Sequence, residues 1–411
     1  MAGSSNGTRA SASGRYGNWR RTLAVVWLGE VLSIAGFNAV IPFLPFYVRQ
    51  LGITGPGEVE LWSGLLISGQ AWTMFIMGPI WGTIADRVSR KMMLQRAMYG
   101  GALLLGAMGY VTNVQQLLAL RVAQGAVTGT VSAAFSLIAS CTPEEQRTPA
   151  LGVLQMGVYV GGSLGPALGG IVADLWGFRA SFTVTAALLV LGGILITTMV
   201  HEVKDDGVAR DRSLTQGVRV ALGSAAVLSV FSVSILLRIG LRTTAPVLAL
   251  FAQMLDPTQT KTASIVGLVS SFHMAGTAVG ALIAGRFGNR LGIRRLLLLG
   301  SAGCLVAYSA HAWCRNTTQL LVLYAMAGVT AGSMLTGLST ALANAAPEGR
   351  QGVVFGLDSS INSVANAIGP MIGAATAVSF GLRMPWIVSG GMFGLALLVI
   401  GFRSFSKARP G

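Results

Sequence analysis

The sequence predicts an all-α membrane protein, with twelve transmembrane helices in two pseudo-symmetric six-helix bundles. Three observations predict it. Of 411 residues, 53% are hydrophobic and only 10% charged, and mean hydropathy is +0.66, whereas a soluble domain carries about 25% charge. Apolar runs recur twelve times along the chain, each able to cross a hydrocarbon layer of about 30 Å. The chain also nearly repeats itself. Gly82, Arg87 and Gly125 recur 203 residues later as Gly285, Arg290 and Gly328. Pro42, Pro143, Glu144, Gly165, Pro166, Gly169, Gly177 and Arg179 recur 204 residues later as Pro246, Pro347, Glu348, Gly369, Pro370, Gly373, Gly381 and Arg383. Glycine and proline are kept where backbone geometry demands them. Six spans per copy give both halves one orientation, and two such halves imply a cavity between them.

Residues 1–17 are rich in Gly, Ser and Ala and read as a flexible tail, without the apolar core of a signal peptide. An N-terminal bundle occupies 18–200, with spans near 22–48, 61–84, 92–110, 115–138, 149–173 and 179–200. The longest polar interior stretch, 201–217, links the halves. The C-terminal bundle occupies 218–405, with spans near 222–252, 262–285, 294–313, 318–342, 352–377 and 384–404, and 406–411 form a second tail.

The net charge of +15 would suit nucleic acid, but its placement argues against that partner. Of the 29 basic residues, 21 lie on the side that holds both chain ends and the 201–217 link. The opposite loops hold Arg49, Arg179, Lys261, Arg315 and Arg383. Three, Arg121, Arg238 and Arg242, fall inside spans. The positive-inside rule then expects both termini in the cytoplasm, with some attraction to anionic lipid. Cys141, Cys304 and Cys314 form neither a paired framework nor a metal-ligand spacing. No P-loop, nucleophile elbow or sizeable soluble domain appears, so neither an enzyme nor ATP-driven transport is expected.

Three motifs carry more. The run Gly78 to Lys91 ends the second span and turns into the third, with Gly82 for close helix approach, Asp86 as a helix-start cap, and Arg87, Arg90 and Lys91 in water. Its second copy has Asn289 at the position of Asp86. In the fourth span, Arg121, Gln124, Thr128 and Ser132 are spaced to share one helical face, and an intramembrane arginine is functional by default. The fifth span reads Gly157 to Gly170, with Gly161, Gly165, Pro166, Gly169 and Gly170 as small or kinking positions that permit close packing.

These motifs resemble those of the major facilitator superfamily. Gly78–Lys91 resembles its signature loop, with Ser89 where a second glycine is usual, and Arg121-Val122-Ala123-Gln124-Gly125 resembles its fourth-helix motif. The fifth span is similar to the motif that marks proton-coupled antiporters. The first span, Ala35 to Tyr47 with Pro42 and Pro45, is similar to the first helix of drug:proton antiporters. The resemblance runs from about Asn18 to Phe405 and is close to the twelve-helix bacterial multidrug efflux group. It implies a monomeric secondary transporter that exports small amphipathic molecules, with protons as the coupling ion and no other cofactor. The alternative is a symporter or facilitator for one endogenous solute, such as a sugar, organic anion or lysolipid.

Position within the spans nominates the proton and cargo groups. Glu30 in the first span and Asp358 in the eleventh are the candidate proton carriers, with Glu30 preferred because Asp358 lies near a helix end. His273 is a third candidate. Asn38, Arg121, Gln124, Tyr159, Arg238, Arg242, Asn362 and Asn366 are the candidate cavity residues, the last two continuing a stripe from Asp358 at i+4 and i+8.

Overall fold

The structure, a computed structural model, describes residues 18–200, 223–258, 261–346 and 351–402. The expected tails 1–17 and 406–411 and the link 201–217 lie outside the described residues. The N-terminal half runs through α1 (Trp19–Ala39), a 3-10 turn (Ile41–Phe43), α2 (Leu44–Gln50), α3 (Glu58–Arg87), α4 (Arg90–Met108), α5 (Val114–Val127), α6 (Thr130–Cys141), α7 (Glu144–Trp176) and α8 (Phe178–Met199). The C-terminal half runs through α9 (Ala225–Thr243), α10 (Leu248–Leu255), α11 (Thr262–Leu291), α12 (Ile293–His311), α13 (Thr317–Ala345), α14 (Gln351–Phe380) and α15 (Met384–Phe402). The pairs α1/α2, α5/α6 and α9/α10 each make one crossing, so each half crosses six times. Ten crossings are long and apolar enough to span a membrane. The other two are α3 and α4, and α4 carries Arg90, Lys91 and Arg96.

The helix ends are written locally, and in duplicate. Asn113 and Asn316, 203 residues apart, begin the fourth and tenth crossings. Each accepts the backbone N–H three residues on, at 2.9 and 2.8 Å, which satisfies one of the orphan donors of a helix start. Gly177 and Gly381 turn the chain at φ +85° and +87°, a region open mainly to glycine.

Three crossings expected as single helices are divided. Pro42 lies in the 3-10 turn after α1, and its counterpart Pro246 lies in the turn between α9 and α10. Proline has no N–H to continue a helical ladder. The fourth crossing breaks at Thr128–Gly129, with Gly129 at φ +128°. The expected polar stripe from Arg121 therefore stops: Thr128 ends α5, and Ser132 belongs to a separate helix.

Packing centres on α7, which runs unbroken through Pro149 and Pro166 with α1 on one side and α11 on the other. Added β-carbons at Gly161, Gly165 and Gly169 would lie 2.6, 2.3 and 2.1 Å from the carbonyl oxygens of Val31, Ala35 and Ala39 on α1. On the other side, one at Gly170 would lie 2.3 Å from the Ala263 oxygen of α11. The C-terminal half repeats the arrangement, with Gly373 against the Thr243 oxygen of α9 at 1.7 Å.

The halves meet along α7–α11 and α3–α14. Their contacts run from mid-membrane to the side away from the chain ends. Ser163 Oγ donates to the Ser271 carbonyl at 3.1 Å, Ala167 N–H donates to Ser271 Oγ at 3.0 Å, and Ser264 N–H donates to Asp174 Oδ2 at 2.7 Å. Arg49 donates to Gln253 Oε1 at 2.5 Å. Gly57 and Gly64 of the α3 end pack on Val378 and Ala374 of α14. Toward the chain ends, Val153 and Met156 of α7 and Leu282 and Phe287 of α11 are exposed. The named contacts between the halves thus spare the side of the chain termini. Gly165→Ala should force α7 off α1 and cost about 1–3 kcal/mol as an overpacked core position, measurable as a lower Tm in detergent, whereas Gly152→Ala, where an added β-carbon meets open space, should leave Tm unchanged.

Candidate functional site

The polar groups inside the membrane form separate clusters in the two halves. In the N-terminal half Glu30 is fully buried on α1. The Thr130 hydroxyl, on the first residue of α6, donates to Glu30 Oε1 at 3.2 Å, and Oε2 has no partner. Among the described residues, no cationic side chain is ion-paired with this carboxyl. Arg121, 1% exposed, does not pair with it. Its Nη1 donates to Gln70 Oε1 of α3 at 2.9 Å and to Gln124 Oε1 at 3.3 Å, while Nε and Nη2 remain unpartnered. Asn38 donates to the Ile34 carbonyl of its own helix at 2.9 Å. Tyr159 is half-buried on α7.

In the C-terminal half Asp358 lies within α14 and is not a helix cap. Arg238 of α9 donates to its Oδ2 at 2.6 Å, and Ser234 donates to its Oδ1 at 2.7 Å. A second guanidinium nitrogen of Arg238 donates to Asn362 Oδ1 at 2.9 Å. Asn366, one turn on, is half-buried. Arg242 is exposed and lies within electrostatic reach of Arg238, His273, Tyr308 and Tyr324. His273 Nδ1 donates to the Tyr324 carbonyl at 3.1 Å, and its ring stacks on Tyr324 at 4.4 Å and 24°.

Glu30 and Asp358 are thus not brought together, and one is ion-paired while the other is not. The partner residues Ser234, Gln70 and Thr130 escape a reading by residue type, because serine, threonine and glutamine are common in membrane helices. The repeat offset does find two of them. Ser234 is 204 residues after Glu30, and His273 and Tyr324 are 203 after Gln70 and Arg121. Each half therefore places a polar pair at one position, but fills it with different chemistry.

Of the loop motif, the side chains of Gly82, Asp86 and Arg87 lie outside the described residues. Ser89, not Asp86, caps α4: its Oγ accepts from Met92 N–H at 3.0 Å, from an extended backbone that needs no glycine. Lys91 Nζ donates to the carbonyls of Thr197 and Val200 at 3.0 and 2.6 Å, a cation on the negative end of α8. Arg90 is half-buried at the start of α4.

This geometry of paired six-crossing bundles matches a known family. The profile of the Major Facilitator Superfamily matches residues 26–255 and 230–410. The chain belongs to the major facilitator superfamily. It is an integral membrane transporter of small molecules rather than an enzyme. It is 34% identical to multidrug resistance protein MdtG of Citrobacter koseri, over 91% of this chain and 93% of that protein. It is 32% identical to MdtG of Klebsiella pneumoniae, over 91% of each. Among solved superfamily folds, it superposes on a bacterial homologue of the human lysosomal transporter Spinster, in an inward-facing and occupied conformation, with TM-score 0.78 at 16% identity over 92% of this chain and 95% of that one. On the nucleoside transporter NupG the TM-score is 0.71 at 14% identity, over 94% and 98% of the chains. These likenesses concern the fold.

Asp358→Asn should leave Arg238 with no counter-charge and destabilise the protein by roughly 3–5 kcal/mol, the range for breaking a buried pair from one side. Thermal unfolding in detergent checks this, and Arg238→Gln added to Asp358→Asn should recover part of the loss.

Proposed function

We propose that this chain exports small amphipathic molecules, drugs among them, across a bacterial cytoplasmic membrane in exchange for protons. The positive-inside distribution assigns the chain-end side to the cytoplasm, and the named contacts between the halves spare that side, which supports a chamber that opens there for loading. One copy holds the whole route, and the coupling ion is the proton, with no further cofactor.

One observation carries the reading. Glu30 is a fully buried carboxyl with, among the described residues, no counter-charge and one unpartnered oxygen. Asp358, by contrast, is neutralised by Arg238, so its charge is part of the structure rather than of the cycle. An ionised Glu30 leaves a charge uncompensated in an apolar interior, and a proton removes it. A group in that position changes its charge when the chamber changes sides. A proton moving inward releases about 2.3 kcal/mol per 100 mV of membrane potential, which drives cargo outward once the two movements share a cycle.

The cargo side is supported by Arg242, which presents a positive charge to the chamber and suits an anionic or zwitterionic end on an otherwise apolar molecule. The contacts of α7 with α11 and of α3 with α14 close the route to the far side, and a rocking motion of one half against the other opens it.

In proteoliposomes, Glu30→Gln should lower proton-driven efflux at least about tenfold, equivalent to about 1.4 kcal/mol in the barrier, with cargo binding retained. Unchanged proton-driven efflux in that variant rejects the assignment. In an efflux-deficient host, expression should raise resistance to several drugs, and an uncoupler should abolish the effect. Flux of one endogenous solute without a drug phenotype would instead establish the single-solute carrier.

A further inference from the structure

The fourth crossing is broken and its repeat counterpart is not. Both contain a glycine at the matching place, Gly129 and Gly332, 203 residues apart. At Gly332 an added β-carbon would lie 2.0 Å from the Thr277 oxygen, and α13 runs through without interruption. That glycine serves close packing. At Gly129 an added β-carbon meets nothing nearer than Ser132 Oγ at 3.6 Å, but φ is +128°. This glycine serves the break. A glycine alone does not break the helix, so the surroundings of the fourth crossing must hold it open.

Those surroundings are charged in a matched way. The start of α6 has no side-chain cap of its own, and Glu30 reaches it from α1 through Thr130. An anion at a helix N-terminus is favoured by the dipole. On the other side of the break, the α5 carbonyl of Ala126 accepts from Trp81 Nε1 at 2.6 Å. The Arg96 guanidinium lies 3.4 Å over the Trp81 ring, placing a cation near the negative end of α5. Among the described residues no cation is ion-paired with Glu30. α1 itself carries Arg20 and Arg21 at its start, and α4, whose Met98 lies against Gly29, carries Arg90, Lys91 and Arg96. Of the other helices packed on α1, α6 contains no charged residue and α8 only Arg179 at its far end. The last, α7, carries Glu144, Glu145 and Arg147 at one end and Asp174 at the other, with Tyr159 its titratable residue between them.

We propose that the break at Thr128–Gly129 is the hinge through which Glu30 passes its protonation state to Arg121 and Gln124. The inference rests on the reading of Glu30 as the proton carrier. Ionised Glu30 holds α6 apart from α5 as the external anion at its start. A proton on Oε2 turns the carboxylate into a neutral acid, and the crossing straightens toward the unbroken form of α13. Straightening moves the last turn of α5, which carries Gln124 one turn from Arg121 and with it the bond to Gln70. Gly129 and Thr130 act as positioning residues, and no covalent step is involved.

The test uses the full-length chain with Cys141, Cys304 and Cys314 replaced by serine, and nitroxide labels at Gln115 of α5 and Ser140 of α6. The label distance should differ between acidic and alkaline buffer. Glu30→Gln should hold one distance at both, and so should Gly129→Ala, which disfavours the broken backbone without meeting a neighbour. Proton-driven efflux in Gly129→Ala should fall at least about tenfold and lose its dependence on external pH, and combining it with Glu30→Gln should add nothing further. A label distance that ignores pH in the unmutated hinge, or a Gly129→Ala protein with the parent's rate and pH profile, overturns the hinge. If Glu30→Gln is inactive while Gly129→Ala is normal, only the hinge falls. If Glu30→Gln keeps full proton-driven efflux, the proton carrier and the hinge fall together.

Discussion

The fold depends on backbone-to-backbone contact at α7. Helices in a membrane gain little from hiding apolar surface, since lipid tails are as apolar as leucine, so their association rests on close van der Waals packing. Gly161, Gly165 and Gly169 bring α7 onto α1, and Gly170 brings it onto α11. One helix thereby joins the interior of its own half to the interface with the other. Through α7 the contact between the halves is tied to the height of Glu30 against Thr130, because α1 is held on α7 at Val31, Ala35 and Ala39. Any movement that opens the far side must slide or tilt this seam, and the acid is positioned on one of its members.

On that symmetric frame the charges are asymmetric. The offset of 204 residues relates Glu30 to Ser234 and Asn38 to Arg242. In one half the first crossing contributes a lone acid. In the other it contributes two arginines, one of them closed off by Asp358 and Asn362 and one left exposed. Duplication gives two equal bundles, and the difference between them separates the proton group from the positive surface offered to cargo. The broken fourth crossing follows the same division, since it occurs only in the half that holds the lone acid.

Much of the fold was legible because its determinants are local or periodic. Hydropathy, the repeat of Pro42 at Pro246 and of Gly165-Pro166 at Gly369-Pro370, and the Asn113 and Asn316 caps all act within a few residues of the chain. The site was legible only in part. A charged residue inside a span announces itself by its transfer cost, so Glu30, Arg121, Arg238, Arg242 and Asp358 stand out. Their partners do not, because a serine or glutamine is tolerated in a span whether or not it bonds an ion. Asp358 and Glu30 look alike in sequence, and what separates them is a guanidinium 120 residues away from one and absent from the other.

By itself the sequence determined the all-helical membrane class, the two-fold repeat, the superfamily and the short roster of buried ionisable groups, since each of these follows from composition, spacing or local backbone demand. Only the tertiary structure decided which acid is paired, which arginine is left exposed, where the fourth crossing breaks and where the two halves touch. Those four depend on which atoms from distant crossings come within hydrogen-bonding distance, and no local rule of spacing or propensity encodes that.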